Sequence, residues 1–197
     1  MATGKIKVTK PPDIDNCTAT HTIMVATIKS PFAFLFGFVA VVNAANLRLE
    51  SLDFSNVAAL KVDNNAVALL TLVNAERVAK GLTALCTNKK LQEAAERHIL
   101  DQAKTDYVSE TGTDNSTPEA RVTAARYKWE SVDENFDAGS ATPEAVVSSW
   151  LKSDGCHDAI LGDYTMVGSA YVYNADTFYK HYWVQVYATG SSEKCDA

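Results

Sequence analysis

The sequence predicts a layered α+β domain in which helices cover an antiparallel sheet. Two observations predict it. Apolar residues recur at helical spacing in the stretch after residue 66, whereas aromatic and β-branched strand patterns dominate the end of the chain. Helices that come first and paired strands that come last favour an antiparallel sheet with helices packed on it. At 197 residues, the chain is long enough for one globular domain and an additional segment.

The first two helices are predicted from their apolar faces. Residues 66–80 carry apolar side chains at helical spacing, and Gly81 follows where a left-handed cap belongs. Residues 89 to about 106 predict a second, longer helix with Asn88 as its N-cap. His98 lies among Ala and Ile on this helix, so we expect a packed or half-exposed helix histidine rather than a catalyst.

Two later helices are predicted from a repeated start signal. Thr117-Pro118-Glu119 and Thr142-Pro143-Glu144 each place a hydroxyl N-cap before a proline, and then an acid near the positive end of the helix dipole. Strand patterns fill the rest of the domain, at residues 127–136, 166–173 and 179–187. Asn174-Ala-Asp176 predicts a hairpin between the last two strands.

The front of the chain is predicted to lie outside the folded domain. Residues 24–44 are typical of a secretory signal peptide, because Lys29 precedes an apolar run of 11 residues and small residues then permit cleavage after Ala44. The run is shorter than the roughly 20 residues that a membrane-spanning helix needs. Residues 1–23 would be an unstructured extension ahead of a true start at Met24, and residues 45–65 an N-terminal arm. The alternative is a genuine N-terminal extension with an internal, weak signal anchor.

Cysteine counting predicts one disulfide in the mature chain. Cys17 would be removed with the leader, so Cys86, Cys156 and Cys195 would remain as one pair and one leftover thiol. We favour Cys86 with Cys195, because that link ties the C-terminus to the domain. Cys156 would then be an inert buried thiol, and the alternatives are a nucleophile beside His157 or a dimer-forming cysteine.

Charge and motifs argue against several classes of function. With 24 acidic and 18 basic residues the net charge is −6, which argues against binding to nucleic acid. The signatures G-x-S-x-G, H-E-x-x-H, the P-loop and the Rossmann glycine pattern do not occur. Asn115-Ser-Thr117 is an acceptor sequence for N-linked glycosylation in a polar loop, and Pro118 follows it directly.

Several short segments, taken in their order along the chain, resemble one protein family. They are Leu72-Val-Asn-Ala-Glu-Arg77 with Gly81-Leu82, Asp114-Asn-Ser-Thr-Pro118, Glu134-Asn135, Trp150-Leu-Lys-Ser153 and Tyr182-Trp-Val-Gln185. This order resembles the CAP superfamily of cysteine-rich secretory, antigen 5 and pathogenesis-related 1 proteins, also called the SCP domain, over about residues 66–190. Segments 85–91, 162–168 and 193–196 resemble oomycete pathogenesis-related 1-like proteins in particular. That resemblance supports the pairing of Cys86 with Cys195, which makes residues 191–197 a tied C-terminal tail.

The resemblance implies a three-layer α-β-α sandwich with a surface cleft, in which two His and two acidic side chains of the family often hold a divalent metal. Here Glu110 stands at the first His position and Cys156 at the second. Glu134 is the one acid retained, and Ser153 stands at the other acid position. The resemblance therefore implies a cleft in which the metal-binding set is degenerate.

A metal site is the alternative to a degenerate cleft. Carboxylate, thiolate and imidazole groups can replace one another as zinc ligands, so a mixed site is chemically feasible on four residues: Glu110, Glu134, Cys156 and His157. However, the adjacent side chains of Cys156 and His157 point in different directions, so at most one should face the cleft. We therefore expect that no cofactor is required. The alternative is a metal-dependent hydrolase with a divalent metal such as zinc on Glu134 and His157.

These observations predict a secreted, extracellular and monomeric protein that is not an enzyme and does not span a membrane. It would act by binding, either to a sterol or fatty acid, as other members of the resembled family do, or to a host or cell-surface protein. The departures at both His positions leave the scaffold intact, which suits a display or effector role.

Overall fold

The computed structural model describes residues 22–23 and 64–196. The predicted signal peptide at 24–44 lies outside these residues, as do nearly all of the upstream extension and most of the predicted arm at 45–65. The described part contains five helices: α1 (Asn64–Ala79), α2 (Lys89–Thr105), α3 (Pro118–Ala124), α4 (Pro143–Trp150) and α5 (Asp154–Leu161). It also contains five strands: β1 (Thr22–Ile23), β2 (Cys86–Thr87), β3 (Ser131–Ala138), β4 (Met166–Tyr173) and β5 (His181–Thr189).

Caps predicted from the sequence begin three of the helices. The Asn88 side chain accepts hydrogen bonds from two backbone N–H groups in the first turn of α2. Thr117 and Thr142 each accept one such bond at the starts of α3 and α4, and each precedes a proline. After α1, Gly81 takes the left-handed conformation with φ 77°. These predictions are confirmed, although α1 begins two residues earlier than expected.

The strands form one sheet in the order β1-β3-β5-β4-β2. Both β3 and β4 pair antiparallel with the central strand β5. Among the described strands only β2 is parallel to its neighbour, β4. Residues 174–180 join β4 to β5 as the hairpin that Asn174-Ala-Asp176 predicts. The predicted sheet, mainly antiparallel, is confirmed.

Two strands begin later than the sequence pattern predicts. β3 starts four residues after Tyr127, whose backbone N–H still donates to the carbonyl of Val122 in α3. β5 starts two residues after Tyr179, because Lys180 is left-handed with φ 64°. A residue with positive φ interrupts the extended backbone of a strand. The aromatic residues before each strand lie in the connecting segments, although their composition is typical of strands.

Strand β1 lies in the segment that is predicted to be unstructured. Thr22 pairs with Val132 and Ile23 with Ser131 in antiparallel register. The pairing covers the first two residues of β3, where an open edge would otherwise favour the addition of a strand. The prediction does not hold for these two residues, and residues 1–21 lie outside the described part of the chain.

Two apolar cores lie on opposite faces of the sheet. Helices α2 and α3 pack on one face, against sheet residues that include Phe136 and Val184. Helices α1, α4 and α5 pack on the other face, against Trp183 and Tyr187. The predicted three-layer α-β-α sandwich is confirmed. None of the helices in the described ranges has the length and apolar character that crossing a membrane requires.

Helix α5 has no counterpart among the elements that the sequence predicts. It is eight residues long, and Ser153 before it makes no side-chain capping bond. Its end is held by the buried Arg77 of α1, whose guanidinium donates to the carbonyls of Ile160 and Gly162 at 2.7 and 2.9 Å. Such a short helix depends on tertiary contacts, which local sequence patterns do not reveal.

The predicted disulfide between Cys86 and Cys195 is present, with an S–S distance of 2.04 Å. Cys156 is also disulfide-bonded, and no cysteine in the described residues is free. Because Cys86 and Cys195 pair with each other, the partner of Cys156 lies outside the described residues. The predicted leftover thiol is therefore wrong. The whole chain has four cysteines, of which Cys17 lies outside the described residues.

Candidate functional site

The retained acid, Glu134, lies on β3, where alternate side chains point to opposite faces of the sheet. Val132 and Phe136, two residues before and after it, belong to the core between the sheet and α2. Glu134 therefore faces α2, and its side chain is 0% exposed. Its neighbour Asn135 points to the other face, where it donates a hydrogen bond to the carbonyl of Cys156 at 3.0 Å.

Two basic side chains enclose the Glu134 carboxylate. Nη2 of Arg121, on α3, donates a hydrogen bond to Oε1 at 2.9 Å. Nδ1 of His98, on α2, lies 2.7 Å from the same oxygen, although the ring is not aligned for a full hydrogen bond. None of the three side chains is more than 1% exposed. We call Glu134, Arg121, His98 and the adjoining Gln102 the Glu134 cluster.

The cluster keeps Glu134 ionised. Burial alone would raise the pKa of its carboxyl, because a carboxylate loses its hydration in the protein interior. The close polar contact with His98 and the charge and hydrogen bond of Arg121 together outweigh burial, so the pKa of this carboxyl lies below its usual value of 4.5. At neutral pH Glu134 is therefore the counter-ion of a buried guanidinium and not a protonated acid.

Gln102 connects the cluster to the loop after α2. Its amide Nε2 can only donate, so the 3.3 Å contact with Nε2 of His98 is a hydrogen bond when that ring nitrogen is unprotonated. The same amide nitrogen donates to the carbonyl of Ser109 at 3.0 Å. Oε1 of Gln102 and Oε2 of Glu134 are buried and have no hydrogen-bond partner within the described residues. Unpaired buried oxygens are costly, so these atoms mark positions where a bound water would be stabilised.

The loop at residues 106–117 is held against α2 and α3 by polar contacts. Arg121 donates to the carbonyls of Glu110 and Ser116 at 2.9 and 2.7 Å. Asp101 of α2 accepts hydrogen bonds from the backbone N–H and the hydroxyl of Thr113 at 2.8 and 2.6 Å. Arg121 therefore serves two purposes, since it neutralises Glu134 and fixes the loop beside it.

A polar cavity of about 180 Å³ lies between this loop and α2. All of its lining residues are polar or charged: Arg97, His98, Asp101, Thr113, Asp114, Ser116 and Arg121. Arg97 and Asp114 form a partly exposed ion pair at 2.6 Å. Burial raises the pKa of Asp101, but hydrogen bonds from Thr113 and Tyr107 lower it more, so this wall of the cavity is negatively charged.

The structure separates Cys156 from the predicted cleft residues around Glu134. Glu134 and the backbone of Glu110 meet at Arg121, whereas Cys156 is 0% exposed in the core on the opposite face of the sheet. The prediction that Cys156 lines the cleft is therefore wrong, because α5 packs on the other layer. Ser153 precedes α5, and its carbonyl accepts a hydrogen bond from the backbone N–H of His157.

The residues around Glu134 do not fit a divalent metal. Across the described ranges, no group of three or more His, Cys, Asp and Glu side chains has an arrangement that could hold a metal ion. The carboxylate is engaged instead by the Arg121 guanidinium, whose positive charge repels a cation. His157, the other predicted ligand, is half-exposed and lies 3.9 Å from the carboxylate of Asp158.

Sequence reasoning missed Arg121 and the contact between His98 and Glu134. His98 is 1% exposed, which confirms the predicted packed histidine. A signal for the contact was present, since His98 and Gln102 stand one turn apart on the apolar face of α2. Polar groups on a buried face need polar partners, so this pair indicated a buried acid or carbonyl nearby.

Comparison with protein families and curated proteins gives two matches. The model of the cysteine-rich secretory protein family, CAP, matches residues 70–187. The uncharacterized protein YkwD of Bacillus subtilis is 29% identical over 105 residues, which are 53% of this chain and 41% of that protein. The matched region thus spans less than half the length of this relative.

Solved structures share the fold. An outer surface protein from Borrelia burgdorferi superposes with a TM-score of 0.61 at 17% identity, over 66% of this chain and 96% of that one. An extracellular protein containing an SCP domain from Bacillus anthracis gives a TM-score of 0.57 at 20% identity, over 64% of this chain and 40% of that one. At these identities the likeness concerns the fold alone.

Proposed function

Because the chain belongs to the CAP, or cysteine-rich secretory protein, family, we propose that it is a secreted, extracellular protein that acts by binding and not by catalysis. Its partner is a host or cell-surface protein. The observation that carries the proposal is the enclosure of Glu134 by Arg121 and His98. The outer-surface and extracellular descriptions of the two structural neighbours support secretion.

The enclosed carboxylate argues against catalysis at this site. A general acid or base must reach its substrate and exchange a proton with it near the working pH. Glu134 is 0% exposed, and its pKa is lowered below the usual value. Its ionised form is already used to neutralise Arg121. A hydrolase that used Glu134 with His157 would have to dismantle this ion pair first.

The cavity beside the cluster does not suit a sterol or fatty acid. Ligand pockets for such molecules are mostly apolar and enclose roughly 300–1,000 Å³. The cavity here has about 180 Å³, and every residue that lines it is polar or charged. It therefore lacks both the volume and the apolar lining that a sterol would need.

Exposed aromatic side chains supply a surface for a protein partner. Tyr173 and Phe178, at the hairpin between β4 and β5, are 54% and 42% exposed. The Tyr173 ring packs against His181 with 5.0 Å between ring centroids, and Phe178 meets Tyr179 edge-on at 5.2 Å. Aromatic side chains are enriched at protein interfaces, where they bury a large area at a low entropic cost.

Two measurements on the secreted full chain test the proposal. After exposure to a mixed sterol and fatty-acid extract, native mass spectrometry should show the chain without an adduct. Fluorescently labelled chain should bind saturably to intact cells, and protease treatment of the cell surface should abolish that binding. A retained lipid adduct, or binding that survives the protease, would contradict a protein partner.

Matched variants locate the binding surface. Tyr173→Ser with Phe178→Ser removes the exposed aromatic rings of the hairpin and should abolish binding to cells. Val67→Ser with Val78→Ser removes side chains on α1 that are 54% and 60% exposed, and should leave binding unchanged. Equal binding by both double variants would argue against the hairpin as the contact.

A further inference from the structure

A surface asparagine beside the cavity has no part in the cluster or in the proposed binding surface. Asn115 begins Asn115-Ser116-Thr117, which fits the pattern Asn-x-Ser/Thr that N-linked oligosaccharides require. The pattern occurs in many sequences without carrying a glycan, so the exposure and contacts of the asparagine are needed to judge whether it can be modified.

The loop presents Asn115 on an exposed, closed turn. The backbone N–H of Asn115 donates to the carbonyl of Gly112 at 2.9 Å, and the N–H of Gly112 donates to the carbonyl of Ser116 at the same distance. Asn115 adopts a left-handed conformation with φ 63°, which asparagine tolerates better than most residues. Asp114, Asn115 and Thr117 are all exposed to solvent.

The side-chain amide of Asn115 is available for modification. Its neighbour Asp114 is engaged, because its carboxylate accepts hydrogen bonds from Arg97 and from the backbone N–H of Ser116. The Asn115 amide itself has no hydrogen-bond partner among the described residues. A substituent on its nitrogen would therefore displace no contact and would extend into solvent.

We propose that Asn115 is an N-glycosylation site, which receives an oligosaccharide when the chain enters a eukaryotic secretory pathway. The inference rests on the proposed function in one respect, the secretion of the chain. Pro118 follows the acceptor hydroxyl of Thr117, opens α3 and is buried. Proline restricts the backbone of the residue before it, so we expect a fraction of the molecules to leave without the glycan.

The reaction is a group transfer without oxidation or reduction. Nδ2 of Asn115 forms a bond to C1 of the first sugar of a polyprenyl-diphosphate-linked oligosaccharide. The bond between that C1 and the diphosphate oxygen breaks, and the oxygen keeps the electron pair. One amide proton is lost from Nδ2, so the products are the glycosylated asparagine and the free polyprenyl diphosphate.

The glycan would lie beside the polar cavity. Asp114 and Ser116, which flank Asn115 in sequence, both line that cavity. An oligosaccharide attached between them would shield the cavity from large molecules. A protein partner would then contact the domain at another surface, as the proposed role of the β4–β5 hairpin requires.

Expression of two forms of the full chain in a eukaryotic host tests the site. One form has only its own leader, and the other carries an additional, established signal peptide ahead of Met1, so that it enters the secretory pathway regardless of residues 24–44. Intact mass is measured for protein from medium and cells, before and after treatment with peptide-N-glycosidase. Peptide mapping is needed because Asn16-Cys17-Thr18 is a second acceptor sequence. We expect treatment to remove mass and to convert Asn115 to aspartate.

Variants of the acceptor sequence serve as controls. Asn115→Gln keeps an amide that the transferase cannot use, so this variant should lose the Asn115 glycan. Thr117→Ser keeps both the acceptor pattern and the capping hydroxyl and should retain it. An unmodified Asn115 peptide in the form with the added signal peptide would overturn the inference. Glycosylation of that form, with the other form retained in cells, would support the site and contradict secretion by the chain's own leader.

Discussion

Arg121 donates a hydrogen bond from Nη2 to Oε1 of Glu134 over 2.9 Å, and neither side chain is more than 1% exposed. The contact joins α3 to β3 at the acid that the CAP resemblance marks as a metal ligand. The guanidinium is positively charged at every physiological pH, so the chain itself supplies the cation that balances Glu134. The stability of the domain should therefore depend on this pair.

Replacement of the guanidinium should destabilise the domain strongly. Arg121→Met should lower the free energy of unfolding by about 3–5 kcal/mol, because Glu134 would remain as an unpaired buried charge. Arg121→Met combined with Glu134→Leu should be more stable than the single variant, since both charges are then removed. Urea unfolding followed by circular dichroism measures both differences.

Arg97 provides the matched control for Arg121. It lines the same cavity, but its side chain and that of its partner Asp114 are 47% and 52% exposed. Exposed ion pairs contribute little to stability, so Arg97→Ala should lower the free energy of unfolding by no more than about 1 kcal/mol. Equal decreases in the free energy of unfolding of the Arg97 and Arg121 variants would show that burial does not distinguish the two ion pairs.

Because the pKa of Glu134 is lowered, its contribution to the free energy of unfolding should decrease at acidic pH. Its pKa in the folded chain is below the usual value of 4.5, so the folded state binds fewer protons than the unfolded state in this range. The stability that Glu134 provides is therefore complete above about pH 4.5, and it is lost as pH falls through the folded pKa. Urea midpoints measured downward from neutral pH should fall more steeply for the unsubstituted chain than for Glu134→Gln. Parallel profiles would contradict this assignment.

The packing of α2 on the sheet should be disturbed by a methyl group added at Gly168 on β4. A side chain at Gly168 would collide with the backbone of Leu91 and Gln92 on α2. Because the obstacle is backbone, no rotamer change relieves it, and Gly168→Ala should cost about 1–3 kcal/mol. The shift would also move His98 relative to Glu134. Unfolding experiments and the ¹⁵N chemical shifts of the His98 ring test both effects, and unchanged values would mean that α2 does not pack closely on β4.

The disulfide between Cys86 and Cys195 should contribute mainly through the unfolded chain. The two residues are 109 apart in sequence, and in the loop-entropy model a link of that span contributes about 4–5 kcal/mol. Replacing both cysteines with serine should lower the free energy of unfolding by up to that amount.

The tail should nevertheless stay in place without the disulfide. Lys90 binds the carboxylate of Glu193 at 2.7 Å, and the Asn88 side chain donates to the carbonyl of Lys194 at 2.8 Å. Hydrogen exchange should therefore remain slow in residues 191–196 of the variant. Full exchange of this tail would show that the disulfide alone retains it.

Much of the fold could be predicted from local signals. The caps at Asn88, Thr117 and Thr142 and the hairpin at 174–180 each depend on a few consecutive residues, whose chemistry is readable without the rest of the chain. Helix α5 could not be predicted in this way. Its end is held by Arg77, which is 83 residues from its acceptor carbonyl on Ile160.

The cluster could be predicted only in part, because it is built from distant segments. His98, Arg121 and Glu134 come from three different elements, and a single sequence does not show which of them meet. The resemblance to CAP proteins pointed to Glu134, which lies between His98 and Arg121. It misplaced Cys156, because α5 packs on the face of the sheet opposite to Glu134. The residue type at position 156 does not reveal on which face the helix packs.

Zinc binding tests most directly whether Arg121 has taken over the role of a cation at Glu134. The full chain is incubated with zinc, desalted and analysed for its metal content, with Glu134→Gln treated in parallel. We predict that the unsubstituted chain retains well below one equivalent of zinc and does not differ from the variant. One equivalent that is retained by the unsubstituted chain and lost in Glu134→Gln would contradict this claim.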